Sequence, residues 1–273
     1  MQAYLRWTPP GGTLGTICHE AEARAEVLKF RAAELERAAT SRRPGFSLES
    51  ALRGADVGVI AEVKRRSPSK GVIAADLDAP GQAQAYVAGG AAAISVLTEP
   101  AHFGGSIADL VEVGTSVSVP TLKKDFHVQP IQLVEARALG ASAALLIVRA
   151  LSPDRLREMM ETARRLDLEV LVEVRDDGEL DRALECGARV IGVNNRDLES
   201  LVIDPSTAER LIPRIPARLV AVAESGIVTR TDVERYAACG ADAVLVGSSI
   251  SAALEPTRAT RAIAGVPRWS RGG

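Results

Sequence analysis

The chain is poor in aromatic residues, poor in cysteine and free of long apolar runs, and each shortage removes a class of function. Phe, Trp and Tyr make up 3% of its 273 residues, so stacking on nucleic-acid bases is poorly provided for. The formal net charge of −2 argues the same way, since a nucleic-acid partner calls for a strongly basic face. No apolar stretch approaches the ~20 residues needed to cross a bilayer. The N-terminus mixes Arg6, Trp7, Pro9 and Pro10 and lacks the charged-then-apolar order of a secretory leader, so no membrane partner and a cytoplasmic location are expected. Cys18, Cys186 and Cys239 are odd in number and far apart, with neither disulfide nor zinc-ligand spacing. His19, His102 and His127 are equally scattered, which leaves a metal site or a Ser/His/Asp triad without support. Acid and base chemistry then falls to lysine and carboxylates, with no metal expected.

What is present is enough apolar residue, 47%, for one enzyme-sized domain. Apolar and β-branched runs predict strands at 57–65, 91–99, 119–126, 143–149, 169–174, 190–196, 218–224 and 243–249, with helical stretches between most of them. Ser152-Pro153-Asp154 opens one such helix, whose Leu156, Met159, Met160 and Ala163 share a face, and Asp176 with Glu179 resembles a capping box. Gly-Ala pairs precede four of the strands, at Gly90, Gly140, Gly187 and Gly240, and recur about every 50 residues, the length of two βα units. These glycines read as left-handed helix C-caps. Eight strands with this period predict a (β/α)8 barrel, spanning residues 46–265. An N-terminal extension, 1–45, would carry a charged amphipathic helix over Cys18 to Ala39, and a tail, 266–273, is expected to fray. An open doubly wound sheet is the alternative. No Gly-x-Gly-x-x-Gly follows a strand, however, and Gly11-Gly12-Thr13-Leu14-Gly15 has no strand before it.

Residues 59–71 carry the most information, because two opposite charges stand two residues apart on an apolar strand. Alternation points Glu62 and Lys64 the same way, as a buried pair at a strand end. The loop after them, Ser67-Pro68-Ser69-Lys70-Gly71, is small, polar and basic, as suits close approach to an anion. In a barrel, function gathers where strands end. There the third strand offers Lys124, the fifth Glu173, the sixth Asn194 and Arg196, and the seventh Glu224. Alternation admits only one of Lys123 and Lys124 to the interior, and Asp125 is expected to face the loop. The last two strands run into Ser225-Gly226 and Gly247-Ser248, where small residues let backbone N–H groups meet a phosphate.

Ile-Ala-Glu-Val-Lys-Arg-Arg-Ser-Pro-Ser-Lys-Gly (60–71), Ile-Ser-Val-Leu-Thr-Glu (94–99), Lys-Lys-Asp-Phe (123–126), Val-Glu-Val (172–174), Ile-Gly-Val-Asn-Asn-Arg-Asp-Leu (191–198), Ala-Glu-Ser-Gly-Ile (223–227) and Val-Gly-Ser-Ser (246–249) together resemble the indole-3-glycerol-phosphate synthase family of tryptophan biosynthesis. The resemblance runs in order over residues about 46 to 255. It implies conversion of 1-(2-carboxyphenylamino)-1-deoxyribulose 5-phosphate to indole-3-glycerol phosphate, carbon dioxide and water, without a cofactor. It further implies Lys124 as general acid and Glu173 as general base, with Glu62, Lys64, Asn194, Arg196 and Glu224 as further active-site groups. Phosphate contacts fall on Ser225, Gly226, Gly247 and Ser248, joined by Ser67 and Arg196, and the aryl pocket on Phe103, Phe126, Leu145 and Leu198.

The chemistry suits these side chains. An ammonium can polarise a ketone under attack by an aromatic carbon, and dehydration needs both an acid and a base. Lys64 can hold the substrate's carboxylate or its phosphate, while Glu62 and Asn194 can orient the ammonium groups. His102 and Ile131 stand where the family more often has aromatic residues, which alters the pocket rim and packing and removes no catalytic group. Whether Trp7 touches substrate stays open, and Arg42-Arg43 reads as a solvated linker or a phosphate neighbour. Two other functions fit a barrel with a phosphate site: a phosphoribosylanthranilate isomerase-like activity, and a non-catalytic barrel subunit of a biosynthetic assembly. A monomer or weak homo-oligomer is expected.

Overall fold

Eight apolar or β-branched runs become parallel strands that close on themselves, in a computed structural model that describes residues 7–43 and 45–271. The barrel strands are β1 (Gly58–Val63), β2 (Ala93–Leu97), β3 (Thr121–Lys124), β4 (Ala143–Ile147), β5 (Glu169–Val174), β6 (Val190–Asn194), β7 (Val220–Glu224) and β8 (Ala243–Val246). Each pairs with its successor, and β8 returns to β1 with Gly58 opposite Ala243. The barrel is that of a (β/α)8 fold. Most strands are shorter than their apolar runs, because the polar residues at the carboxyl ends turn into loops. Lys64 and Arg196 therefore lie just past β1 and β6.

The four Gly-Ala pairs do what their chemistry suggests. Gly90, Gly140, Gly187 and Gly240 have φ of 101°, 88°, 75° and 87°, the left-handed region that glycine enters without a Cβ clash. At each, the glycine N–H and the following alanine N–H reach back to carbonyls of the preceding helix, as with Gly90 N to Val87 O at 2.9 Å and Ala91 N to Tyr86 O at 3.0 Å. This closes the helix and turns the chain into β2, β4, β6 and β8. The helix Pro153–Arg165 starts as expected, with the Ser152 hydroxyl accepting from Arg155 N, and buries Leu156, Met159, Met160 and Ala163.

Three segments differ from expectation. The extension forms two helices, Gly12–Lys29 and Ala32–Ser41, not one over 18–39, so that Leu35 and Ala39 can turn to pack against Val134 and Ala138. Arg42 binds the Ala138 carbonyl at 3.0 Å and so caps helix Pro130–Ala138. The loop after β1 contains a small ribbon, Arg66–Ser67 against Gly71–Val72, permitted by φ +67° at Gly71. The tail is docked through Arg271, against the expectation of fraying. Pro267 bridges Asp56, and Arg268 and Arg271 hold Asp242 at 3.0 and 2.7 Å beneath β8. Arg271 is buried there. Among the described residues, no helix is long and apolar enough to cross a membrane.

Candidate active site

Strand alternation and barrel stagger bring four ionisable side chains, one from each odd-numbered strand, into a single interior layer at the carboxyl ends: Glu62, Lys124, Glu173 and Glu224. Lys124 Nζ sits 3.4 Å from both Glu173 Oε2 and Glu224 Oε2. Asn194 donates to Glu173 Oε1 at 2.9 Å, and its own carbonyl accepts the Arg196 N–H at 2.9 Å, which fixes the amide's orientation. Lys64 pairs with Glu62 at 2.5 Å, and the Ser95 hydroxyl donates to the other Glu62 oxygen at 3.5 Å. Alternation does point the two charges at the end of β1 the same way, but only Glu62 is buried; Lys64 is half-buried.

Burial and mutual charge set the protonation states. Burial raises the Glu224 carboxyl to about 8; Lys124 opposes this and Glu173 adds to it. At Glu62 burial pushes upward too, but Lys64 and Lys124 outweigh it and hold the carboxyl below its ordinary range. Burial alone would depress the Lys124 ammonium, yet Glu224, Glu173 and Glu62 together raise it above the usual lysine range. Lys124 is therefore held in its charged form.

These groups open into a cavity of about 250 Å³, which every residue singled out from the sequence as catalytic, anion-binding or aryl-binding helps to line. Phe103 and Phe126 form one wall, ring centres 6.0 Å apart and tilted by 36°, with Leu145 and Leu198 beside them. Lys64 Nζ lies 5.9 Å from the centre of the Phe103 ring. His127 supports this wall from behind. Burial first, and Lys123 next, push its imidazole down to about 3, so the ring is neutral and Nδ1–H donates to the Leu145 carbonyl at 2.8 Å. Two small-residue turns also line the cavity. Ser225 and Gly226 carry φ of 67° and 79°, a sharp turn at the end of β7, and Gly247-Ser248 make the corresponding turn after β8. Ser67 is buried on the ribbon, its hydroxyl accepting from Lys70 N at 3.2 Å. Arg196 reaches the Leu201 carbonyl at 2.9 Å.

Sequence reasoning missed several supports. Asn195 is fully buried, donates to the Ser225 carbonyl at 3.0 Å and to the Tyr236 hydroxyl at 2.9 Å, and accepts from Ala208 N at 3.0 Å. It braces a non-glycine residue in a left-handed conformation, a strained geometry that needs such bracing. Its position in an Asn-Asn pair was the available signal. Leu14 and Ile17 of the N-terminal helix also line the cavity. Arg24, further along that helix, holds Asp125 at 2.9 Å and approaches Glu99 at 3.6 Å, so the helix is clamped over the mouth. Asp125 meets the loop side as expected, accepting from the Thr98 hydroxyl at 2.6 Å, while Lys123 points outward and is buried against Glu135 at 2.6 Å. Trp7 donates to the Arg149 carbonyl and is not among the cavity's lining residues. Glu20, Glu99 and His102 converge within 4.8 Å outside the cavity, but the Glu99 oxygens already accept from the Ala101, His102 and Phe103 N–H groups.

A family model described as indole-3-glycerol phosphate synthase matches residues 14–263. Indole-3-glycerol phosphate synthase 1 of Streptomyces coelicolor is 52% identical over 226 residues, 83% of this chain and 84% of that protein. The indole-3-glycerol phosphate synthase of Rhodococcus jostii is 47% identical over 237 residues, 87% of each chain. Among solved structures, 3-hexulose-6-phosphate synthase of Salmonella typhimurium superposes with a TM-score of 0.61 at 16% identity, over 76% of this chain and 96% of that one, a likeness of fold.

Proposed function

The chain belongs to the indole-3-glycerol phosphate synthase family, and from that premise we propose how its residues divide the ring closure, decarboxylation and dehydration of 1-(2-carboxyphenylamino)-1-deoxyribulose 5-phosphate. The observation that carries the assignment is Lys124 Nζ, half-buried between Glu173 and Glu224 at 3.4 Å from each, in a cavity lined by Phe103 and Phe126 and by two small-residue turns.

Binding fixes the geometry first. The aryl ring lies against Phe103, Phe126, Leu145 and Leu198, while the phosphate meets backbone N–H groups at Ser225-Gly226 and Gly247-Ser248, with Ser67 and Arg196 at its edge. Stretched between these anchors, the ketone carbon faces the ring carbon that bears the carboxylate. Attack by that ring carbon forms the new C–C bond and sends the carbonyl electrons to oxygen, where the Lys124 ammonium delivers a proton. Departure of carbon dioxide leaves its electron pair in the ring and restores aromaticity. Loss of water then requires a proton for the leaving hydroxyl and removal of one from the adjacent carbon. Glu173, oriented by Asn194, is the base. Lys64, held by Glu62, faces the aryl side and suits the carboxylate until it leaves.

Lys124→Met and Glu173→Gln should each lower turnover by about a hundredfold or more, the scale expected for general acid and base groups, with circular dichroism unchanged. Single-turnover kinetics with authentic substrate would check this. A variant with parental rate would lose its assigned role.

A further inference from the structure

Strand β6 runs Val190–Asn194, and nothing in its backbone calls for glycine in the middle, since Gly192 does not have a positive φ. Alternation places Gly192 in the barrel interior, in register with Glu173 on β5 and Val222 on β7. The reason for glycine lies in what surrounds it. A Cβ there would stand 2.0 Å from Glu224 Oε1, 3.1 Å from Glu224 Cδ and 3.3 Å from Leu171 Cδ1. The Glu224 carboxyl thus fills the space that a side chain on β6 would take, sunk between the charged layer and the apolar residue beneath it. Its Oε1 is buried without a hydrogen-bond partner among the described residues, while Oε2 faces Lys124. Packing into this gap, and not a second hydrogen bond, sets where the carboxyl lies.

We infer that Gly192 is a positioning residue for the reaction: by presenting no side chain, it lets the Glu224 carboxyl lie low enough for one oxygen to reach Lys124 while the other stays in a dry gap. This rests on the reading of Lys124 and Glu224 as reaction groups. The relation recurs across the barrel, where a Cβ on Gly247 would stand 2.4 Å from Glu62 Oε1 and 3.3 Å from Lys64 Nζ. Gly247 also borders the anion turn, so Gly192 gives the cleaner test.

The test is a double-mutant cycle of Gly192→Ala with Glu224→Ala, recording kcat and KM across pH and the melting temperature of each protein. Gly192→Ala should lower kcat by about a hundredfold with little change in KM, the scale of a displacement of about 1 Å at a reacting group. The kcat limb belonging to Glu224 should move toward acid, because a carboxyl pushed up toward water loses the burial that raises it to about 8. In the Glu224→Ala background the new methyl group meets no carboxyl, and Gly192→Ala should have no further effect on kcat. A parental rate and pH profile in Gly192→Ala, or equal losses in both backgrounds, would overturn the inference. A parental rate in Glu224→Ala would instead overturn the reading of Glu224 as an active-site group, so the two failures are distinct. Should Gly192→Ala not fold, recovery of the fold in the double variant supports the inference, and a double variant that also fails to fold overturns it.

Discussion

Glu224 ties the stability of the fold to pH through a single side chain. Burial raises its carboxyl from 4.5 to about 8, so the folded protein holds that proton more tightly than the unfolded chain does. The stabilisation is complete below pH 4.5 and is lost as pH rises through about 8. Across that window the parent should lose stability more steeply than Glu224→Gln, by up to about 1.4 kcal/mol per pH unit. Thermal melting of both proteins at several pH values checks this, and parallel curves would mean that Glu224 is ionised throughout. Residues of this kind were legible in the sequence because a charge at the end of an apolar strand contradicts its surroundings. Asn195 was not, because strand parity gives a buried amide on the outer side of a barrel strand the look of ordinary packing, and only the fold shows that it braces Ser225.

Turns and helices were legible where glycine or proline marks them. The four Schellman-type helix ends and the Ser152-Pro153 start follow from local chemistry alone. The break between the two N-terminal helices has no such mark: it falls at the exposed Phe30, with no glycine or proline, and serves packing against helix Pro130–Ala138, a contact distant in sequence. The turn after β8 carries its own prediction. Ser248→Asp should weaken inorganic phosphate and substrate binding, since a fixed negative charge would face the anion at the proposed phosphate site. Charge-assisted contacts of this kind are worth about 1.5–3 kcal/mol, so a loss of roughly tenfold or more is expected by calorimetric titration. Equal affinity in variant and parent would move the phosphate elsewhere.

Across the whole molecule, the eight-strand count and the repeat of paired βα units were enough to read the barrel, because closure follows from them. The docked tail was not legible, since a run of Arg, Trp, Ser and Gly gives no hint that Asp242 waits beneath β8 for Arg268 and Arg271. The interior layer built by the odd-numbered strands has a further consequence, for resistance to heat. Other interior layers of such a barrel are filled by branched apolar side chains, which pack without desolvating a charge. Here Glu173 and Glu224 are buried, with Lys124 half-buried between them. Replacing a buried ionic set by apolar residues of similar volume is commonly neutral or stabilising by about 1–4 kcal/mol, whereas removing one member strands the rest. The triple variant Lys124→Met, Glu173→Leu, Glu224→Leu should therefore be inactive and melt no lower than the parent, and above Lys124→Met alone; a triple variant that melts below the parent would show that the charges hold the barrel together. The mouth of the barrel forgoes an apolar plug in order to do chemistry, so thermal endurance and turnover compete for the same three positions.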